Sequence, residues 1–158
     1  MKIEIQIECH STHQGLEVKD KQLLEAAITR LGTGHAPYSN FHVSVAVRTR
    51  SGQVFIGTNQ ENASFPVGIC AERVAISVAN MQAPGEALDA LAVVYRDPSG
   101  LHKTPLAPCG MCRQAMREQS FRQHTPMRLL MGHEDGATWI CESADALLPL
   151  SFTLREPA

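Results

Sequence analysis

The sequence predicts an α/β domain in three layers, α/β/α, with helices on both faces of one sheet. Two observations lead there. Runs of apolar and β-branched residues alternate along the chain with segments whose apolar residues recur at helical spacing. The chain has 158 residues, 44% of them hydrophobic, which suits a single domain over 1–158 with a real core.

The elements follow in order. Lys2 to Ile7 alternates polar with apolar residues and reads as a short strand, followed by a polar turn at His13 to Gly15. Residues 1–20 form an N-terminal extension, an edge strand or part of a subunit contact. Lys21 to Leu31 sets Leu23, Leu24, Ala27, Ile28 and Leu31 on one helical stripe, which Gly32 and Gly34 end. Val43 to Arg50 and Val54 to Gly57 are strands joined through Ser51-Gly52 as a hairpin. After a polar loop from Asn59 to Gly68, a helix is expected from Cys70 to Met81, burying Ala71, Val74, Ala75, Val78 and Ala79. Leu91 to Tyr95 is a buried strand, Pro105 to Gly110 a loop and Met111 to Gln119 a short helix. Met127 to Met131 and Thr138 to Cys141 are further strands, and Ala144 to Leu148 a helical turn. No repeat, linker or low-complexity tract interrupts the pattern.

Charge and composition narrow the function. Fourteen basic and sixteen acidic residues give a formal charge of −2, with no run of Lys or Arg to track a phosphate backbone. A small substrate is expected, not a nucleic acid. No stretch reaches the roughly 18 apolar residues of a membrane span. The start, MKIEIQIECH, lacks the form of a signal peptide, so a cytoplasmic location is expected. The charged fraction of 19% is slightly low and fits a surface partly covered by another subunit. Five cysteines, an odd number, are spaced for metal ligation more than for a disulfide framework.

Two short motifs carry the chemistry: Cys70-Ala71-Glu72 and Pro108-Cys109-Gly110-Met111-Cys112. Each sits where a loop becomes a helix. There the helix dipole and free backbone N–H groups favour thiolate. Cys109 and Cys112 can share one metal ion, and Cys70 supplies a third sulfur. Three protein ligands leave one corner of a tetrahedral zinc site open, as in catalytic sites. Glu72, two residues from Cys70, can face that corner without ligating. Zinc makes a water nucleophilic near neutral pH, and Glu72 would take its proton and pass protons onward. Three thiolates outweigh the charge of Zn²⁺, so Arg73 is expected to donate hydrogen bonds to the sulfurs and restore the metal's acidity. Cys9 and Cys141 have no partner motif and read as structural thiols. None of the seven histidines has ligand spacing to the cysteines, and His35 and His42 read as bystanders of the pocket.

A water-activating zinc with a non-ligating Glu is the known design of zinc deaminases. The chain closely resembles cytidine deaminases of the small, one-domain, three-cysteine type, from about Ala36 to Phe152. Five segments in the family's order carry the resemblance: Ala36-Pro37-Tyr38-Ser39-Asn40-Phe41, Asn59-Gln60-Glu61-Asn62-Ala63-Ser64, Cys70-Ala71-Glu72-Arg73, Pro108-Cys109-Gly110-Met111-Cys112-Arg113-Gln114, and Leu147-Leu148-Pro149-Leu150-Ser151-Phe152. It implies a mixed five-stranded sheet, one Zn²⁺ per subunit and assembly as a homotetramer, with a homodimer the alternative. The implied reaction is hydrolysis of cytidine or deoxycytidine to uridine or deoxyuridine and ammonia, as in pyrimidine salvage.

The resemblance further implies that Asn59 and Glu61 bind the ribose 3′-hydroxyl, that Phe41 packs on the pyrimidine and that backbone at Ala71 contacts its polar edge. It also implies that Phe152 reaches into a neighbouring subunit's site. Ser44-Val45 stand where the family usually has Gly-Ala, and larger side chains there could narrow the pocket. Phe65 stands where Tyr is common. The alternatives are a deaminase of another aminopyrimidine or nucleoside-like compound, or a non-catalytic zinc-stabilised domain.

Overall fold

The computed structural model describes residues 2–100 and 104–154; Met1, 101–103 and 155–158 of the expected domain lie outside that description. The elements are β1 (Glu8–His10), α1 (Val18–Ile28), β2 (His42–Thr49), β3 (Val54–Thr58), α2 (Ala71–Gln82), β4 (Leu88–Arg96), α3 (Gly110–Arg122), β5 (Arg128–His133) and β6 (Thr138–Cys141). Short 3₁₀ turns fill Phe65–Val67 and Ala144–Leu147.

The strands form one mixed sheet in the order β1-β6-β5-β4-β2-β3. β4 and β5 run parallel, joined by the crossover through α3, and the other neighbours are antiparallel. The sheet therefore has six strands, not the five expected. The added strand is β1, from the N-terminal extension, but the pairing does not use Lys2 to Ile7. It begins at Glu8 and sets Glu8, Cys9 and His10 against Ile140, Trp139 and Thr138 of β6.

Strand alternation divides the core into two layers. Val45 and Val47 of β2, Leu91 and Val93 of β4, and Leu129 and Met131 of β5 pack with α2 and α3. Their neighbours Ala46, Ala90, Ala92, Val94 and Leu130 pack with Leu23, Leu24 and Ala27 of α1. One helix thus covers one face and two cover the other, as expected. α2 lies unusually close to the sheet. A Cβ on Gly57 of β3 would stand 2.4 Å from the Ala75 nitrogen and 2.6 Å from the Ala71 carbonyl oxygen. Only a glycine lets the first turn of α2 rest on the strand.

The inner face of α2 differs from the expected stripe. Ala71, Ala75 and Ala79 are buried, but Glu72 and Ile76 join them while Val74 and Val78 are half-buried. The face is rotated so that a carboxylate, not a valine, points inward. α1 also starts three residues early, because Asp20 is fully buried beneath it. The Asp20 carboxylate pairs with Arg128 of β5 and lies 3.8 Å from Arg48 of β2. Arg48 in turn bonds the Lys19 carbonyl oxygen at 2.8 Å and Asp89 at 2.6 Å. These charges fasten the helix across three strands.

Removing one partner of a buried ion pair strands the remaining charge, at a cost of about 3 kcal/mol. Asp20→Ala is therefore expected to lower unfolding stability by about that amount. Chemical denaturation checks it, and an unchanged midpoint would show that α1 is held by its apolar stripe alone.

Candidate active site

The site lies at the sheet end where β3 and β4 finish and β2 begins, the region where α/β folds gather ligands. From β3 the chain runs through Asn59–Glu61 to Cys70, the residue capping the start of α2. From β4 it runs to Cys109, which caps α3. Both cap residues have extended backbone, so each sulfur stands beside the first turn of its helix.

The three sulfurs of Cys70, Cys109 and Cys112 lie within 4.8 Å of one another. The Cys70–Cys109 separation is 3.8 Å and the Cys109–Cys112 separation 3.5 Å. Tetrahedral zinc, with Zn–S near 2.3 Å, sets its sulfurs about 3.8 Å apart, so the triad fits that ion. Among the described residues no fourth His, Cys, Asp or Glu joins the cluster. Burial pushes the Cys70 and Cys112 thiols up, with Glu72 and the Cys109 sulfur adding to the rise and a bond from Cys112 opposing it at Cys70. Burial acts on Cys109 the same way, but backbone N–H groups of Cys112 and Met111 and bonds from the other two thiols bring it below its ordinary value.

Glu72 is 4% exposed. Burial pushes its carboxyl up against the opposing pull of its own backbone N–H, the Cys112 thiol and the Arg73 charge. An inner cavity of about 280 Å³ brings Glu72 together with Cys70, Ala71, Cys109, Phe41, Val43, Asn59, Leu106 and Ala107. An outer cavity of about 500 Å³ shares Asn59 and Cys70 with it and is lined further by Tyr38, Ser39, Glu61, Phe65 and Met111 among others. Among the described residues no Lys or Arg lines either one.

The outer groups are already at work in the fold. Asn59 accepts a bond from the Val43 N–H at 2.9 Å and donates to the Phe41 carbonyl oxygen at 2.8 Å. Glu61 accepts from the Tyr38 and Ser39 N–H groups, at 2.9 and 3.3 Å, and from the Ser39 hydroxyl. Those bonds, the Ser39 hydroxyl first, hold its carboxyl below the usual range. The loop they fix includes Asn40, whose φ of 55° is the left-handed conformation that Asn tolerates, and delivers Phe41 to the inner cavity. Each amide or carboxylate keeps acceptor or donor capacity for a ligand.

Arg73 lies differently from expectation. Its Nη2 donates to the Gly68 carbonyl oxygen at 3.1 Å, and its Nε is buried without a hydrogen-bond partner. The guanidinium braces the loop entering Cys70, and its bond goes there instead of to a sulfur. Phe152 is 69% exposed and lines neither cavity of its own chain. Ser44 and Val45 are buried in the sheet, line neither cavity and do not narrow them. Sequence reasoning missed Leu106 and Ala107, which only the packing of the β4–α3 connection brings to the site.

The sequence model of the family described as cytidine and deoxycytidylate deaminase zinc-binding region matches residues 17–125. A cytidine deaminase of Halalkalibacterium halodurans is 41% identical over 101 residues, covering 63% of this chain and 71% of that protein. One of Mycoplasma pneumoniae is 39% identical over 114 residues, covering 62% and 80%. The crystal structure of a cytidine deaminase from Burkholderia pseudomallei superposes with a TM-score of 0.72 at 39% identity, covering 83% of this chain and 97% of that one. Sequence, fold and a sulfur triad dimensioned for zinc agree, and the chain belongs to the cytidine and deoxycytidylate deaminase family of zinc-dependent enzymes.

Proposed function

We propose that the protein hydrolyses cytidine or deoxycytidine to uridine or deoxyuridine and ammonia. The observation that carries this reading is the buried Glu72 beside the three-sulfur cluster, at the inner end of a cavity sized for a pyrimidine. Cys70, Cys109 and Cys112 would hold one Zn²⁺ per chain. When bound, zinc supplies the Lewis acidity that makes a water nucleophilic near neutral pH.

The remaining work falls to the chain's own groups. Glu72 takes a proton from the attacking water and delivers it to the ring nitrogen N3, then takes the remaining proton from the hydroxyl so added at C4 and passes it to the departing amine as the C4 carbonyl forms. Its burial supports this shuttle, because desolvation pushes the carboxyl up and so favours a group that can return the proton it takes. Phe41 and Val43 wall the ring, and backbone at Ala71 faces its polar edge. Asn59, where the two cavities meet, and Glu61 in the outer one receive the ribose 3′-hydroxyl. A ribose 5′-phosphate would enter an outer cavity that, among the described residues, holds the Glu61 carboxylate and no Lys or Arg, which favours the nucleoside over its nucleotide. Arg73 braces the Cys70 loop, and its charge acts on the Glu72 carboxyl from there.

The assembly we propose is a homotetramer in which Phe152 completes a neighbouring subunit's site. Leu150, Phe152 and Leu154 are 86%, 69% and 73% exposed, and Phe152 and Leu154 stand next to Met111, an apolar patch that a second copy would cover.

Three measurements test these assignments. Glu72→Gln should lose roughly a thousandfold in kcat while retaining one zinc per chain; near-normal turnover would remove Glu72 from the chemistry. Cytosine and cytidine 5′-monophosphate should each show a kcat/KM at least about tenfold below that of cytidine, and equal rates would remove the ribose contacts and the charge argument. Light scattering should report four chains for the wild type, and Phe152→Ala should raise KM; a fully active monomer would discard the shared site.

A further inference from the structure

Tyr95 has no part in the proton transfers, yet its position connects both walls of the inner cavity. It ends the run Leu91, Val93, Tyr95 on the β4 face that carries α2, α3 and the site. It is 2% exposed and stands in the sheet between Val43 of β2 and His133 of β5. The Phe41 ring stacks on it at 5.4 Å between centroids, with 27° between planes. The His133 ring meets its other side edge-on at 5.2 Å. Its hydroxyl donates to the Thr104 carbonyl oxygen at 2.7 Å. Thr104 lies five residues before Cys109, in the connection that supplies Leu106 and Ala107 to the cavity.

We propose that Tyr95 is a positioning residue for the deaminase site: its ring fixes the plane of Phe41 against the pyrimidine, and its hydroxyl fixes the depth of the 104–109 connection over the cavity. A buried hydroxyl without a partner is costly, so the bond to Thr104 is strongly enforced. Burial and the nearby Asp97 push the phenol up, so it remains a donor. The two contacts separate chemically. Phenylalanine keeps the stack and loses the tether; leucine loses both.

The kinetic arm of the test rests on the cytidine-deaminating reading, and the exchange arm does not. In zinc-loaded Tyr95→Phe, hydrogen exchange at the Leu106 and Ala107 amides should quicken roughly fivefold, the size of one neutral hydrogen bond, while KM for cytidine stays within about twofold. Tyr95→Leu should raise KM about tenfold with kcat within about threefold and full zinc content. Unchanged exchange in Tyr95→Phe overturns the tether. An unchanged KM in folded Tyr95→Leu, or a KM in Tyr95→Phe as high as in Tyr95→Leu, overturns the stack. Should Tyr95→Leu fail to fold, Tyr95→Trp, which keeps an aromatic face, replaces it: a KM equal to wild type without any change in exchange overturns the proposal. A wild type that leaves cytidine untouched sinks the substrate reading, and the exchange result on Tyr95→Phe still decides the tether.

Discussion

Two helices begin at neighbouring points over the same end of one sheet, and their first turns meet through sulfur. That convergence organises the rest of the molecule. Gly57 removes the side chain that would hold α2 off the strand. The parallel β4–β5 pair requires a crossover, and the crossover is α3, whose start brings Cys109 and Cys112 to Cys70. The sheet also fixes where the substrate walls come from. β2 begins and β3 and β4 end on that side, so Phe41, Asn59 and Leu106 arrive together from separate stretches of chain. A site assembled from helix starts and strand ends is rigid where the chemistry needs it and loop-built where recognition needs variety.

The chemistry was legible in the sequence because its residues are local. Cys70 and Glu72 are two positions apart and Cys109 and Cys112 three, so a reader sees each half of the centre in one glance. The Asn59 and Glu61 pair is as compact, although its bonds to Phe41, Val43 and Ser39 are not visible from spacing. Hydrophobic patterning also separated the helices from the strands after residue 17, with ends shifted by a few residues, but it placed the first strand on Lys2 to Ile7 instead of Glu8–His10.

Two of the misjudged boundaries come from charged side chains packed inward. Asp20 and Glu72 are charged residues inside the core, and any count of apolar positions puts them outside. The inner face of α2 therefore differs from its apolar stripe, and α1 begins ahead of its own. Tyr95 reads as an ordinary strand residue until Phe41 and Thr104, distant in sequence on either side, are seen against it. Arg73 follows the catalytic motif directly, but which neighbour a long cationic side chain chooses is decided by the loop around Gly68.

β1 lies outside the span matched by the family model, which opens at residue 17. Three residues are a small strand, but they occupy the outer border of β6, where Thr138–Cys141 would otherwise present a row of unmet backbone donors and acceptors. Such a row invites strand addition by another copy. β1 answers that hazard by satisfying the border from within the same chain, with Glu8 and His10 flanking its one cysteine. The N-terminal arm therefore moves the open border of the sheet from β6 to a strand of only three residues, none of which lines either cavity.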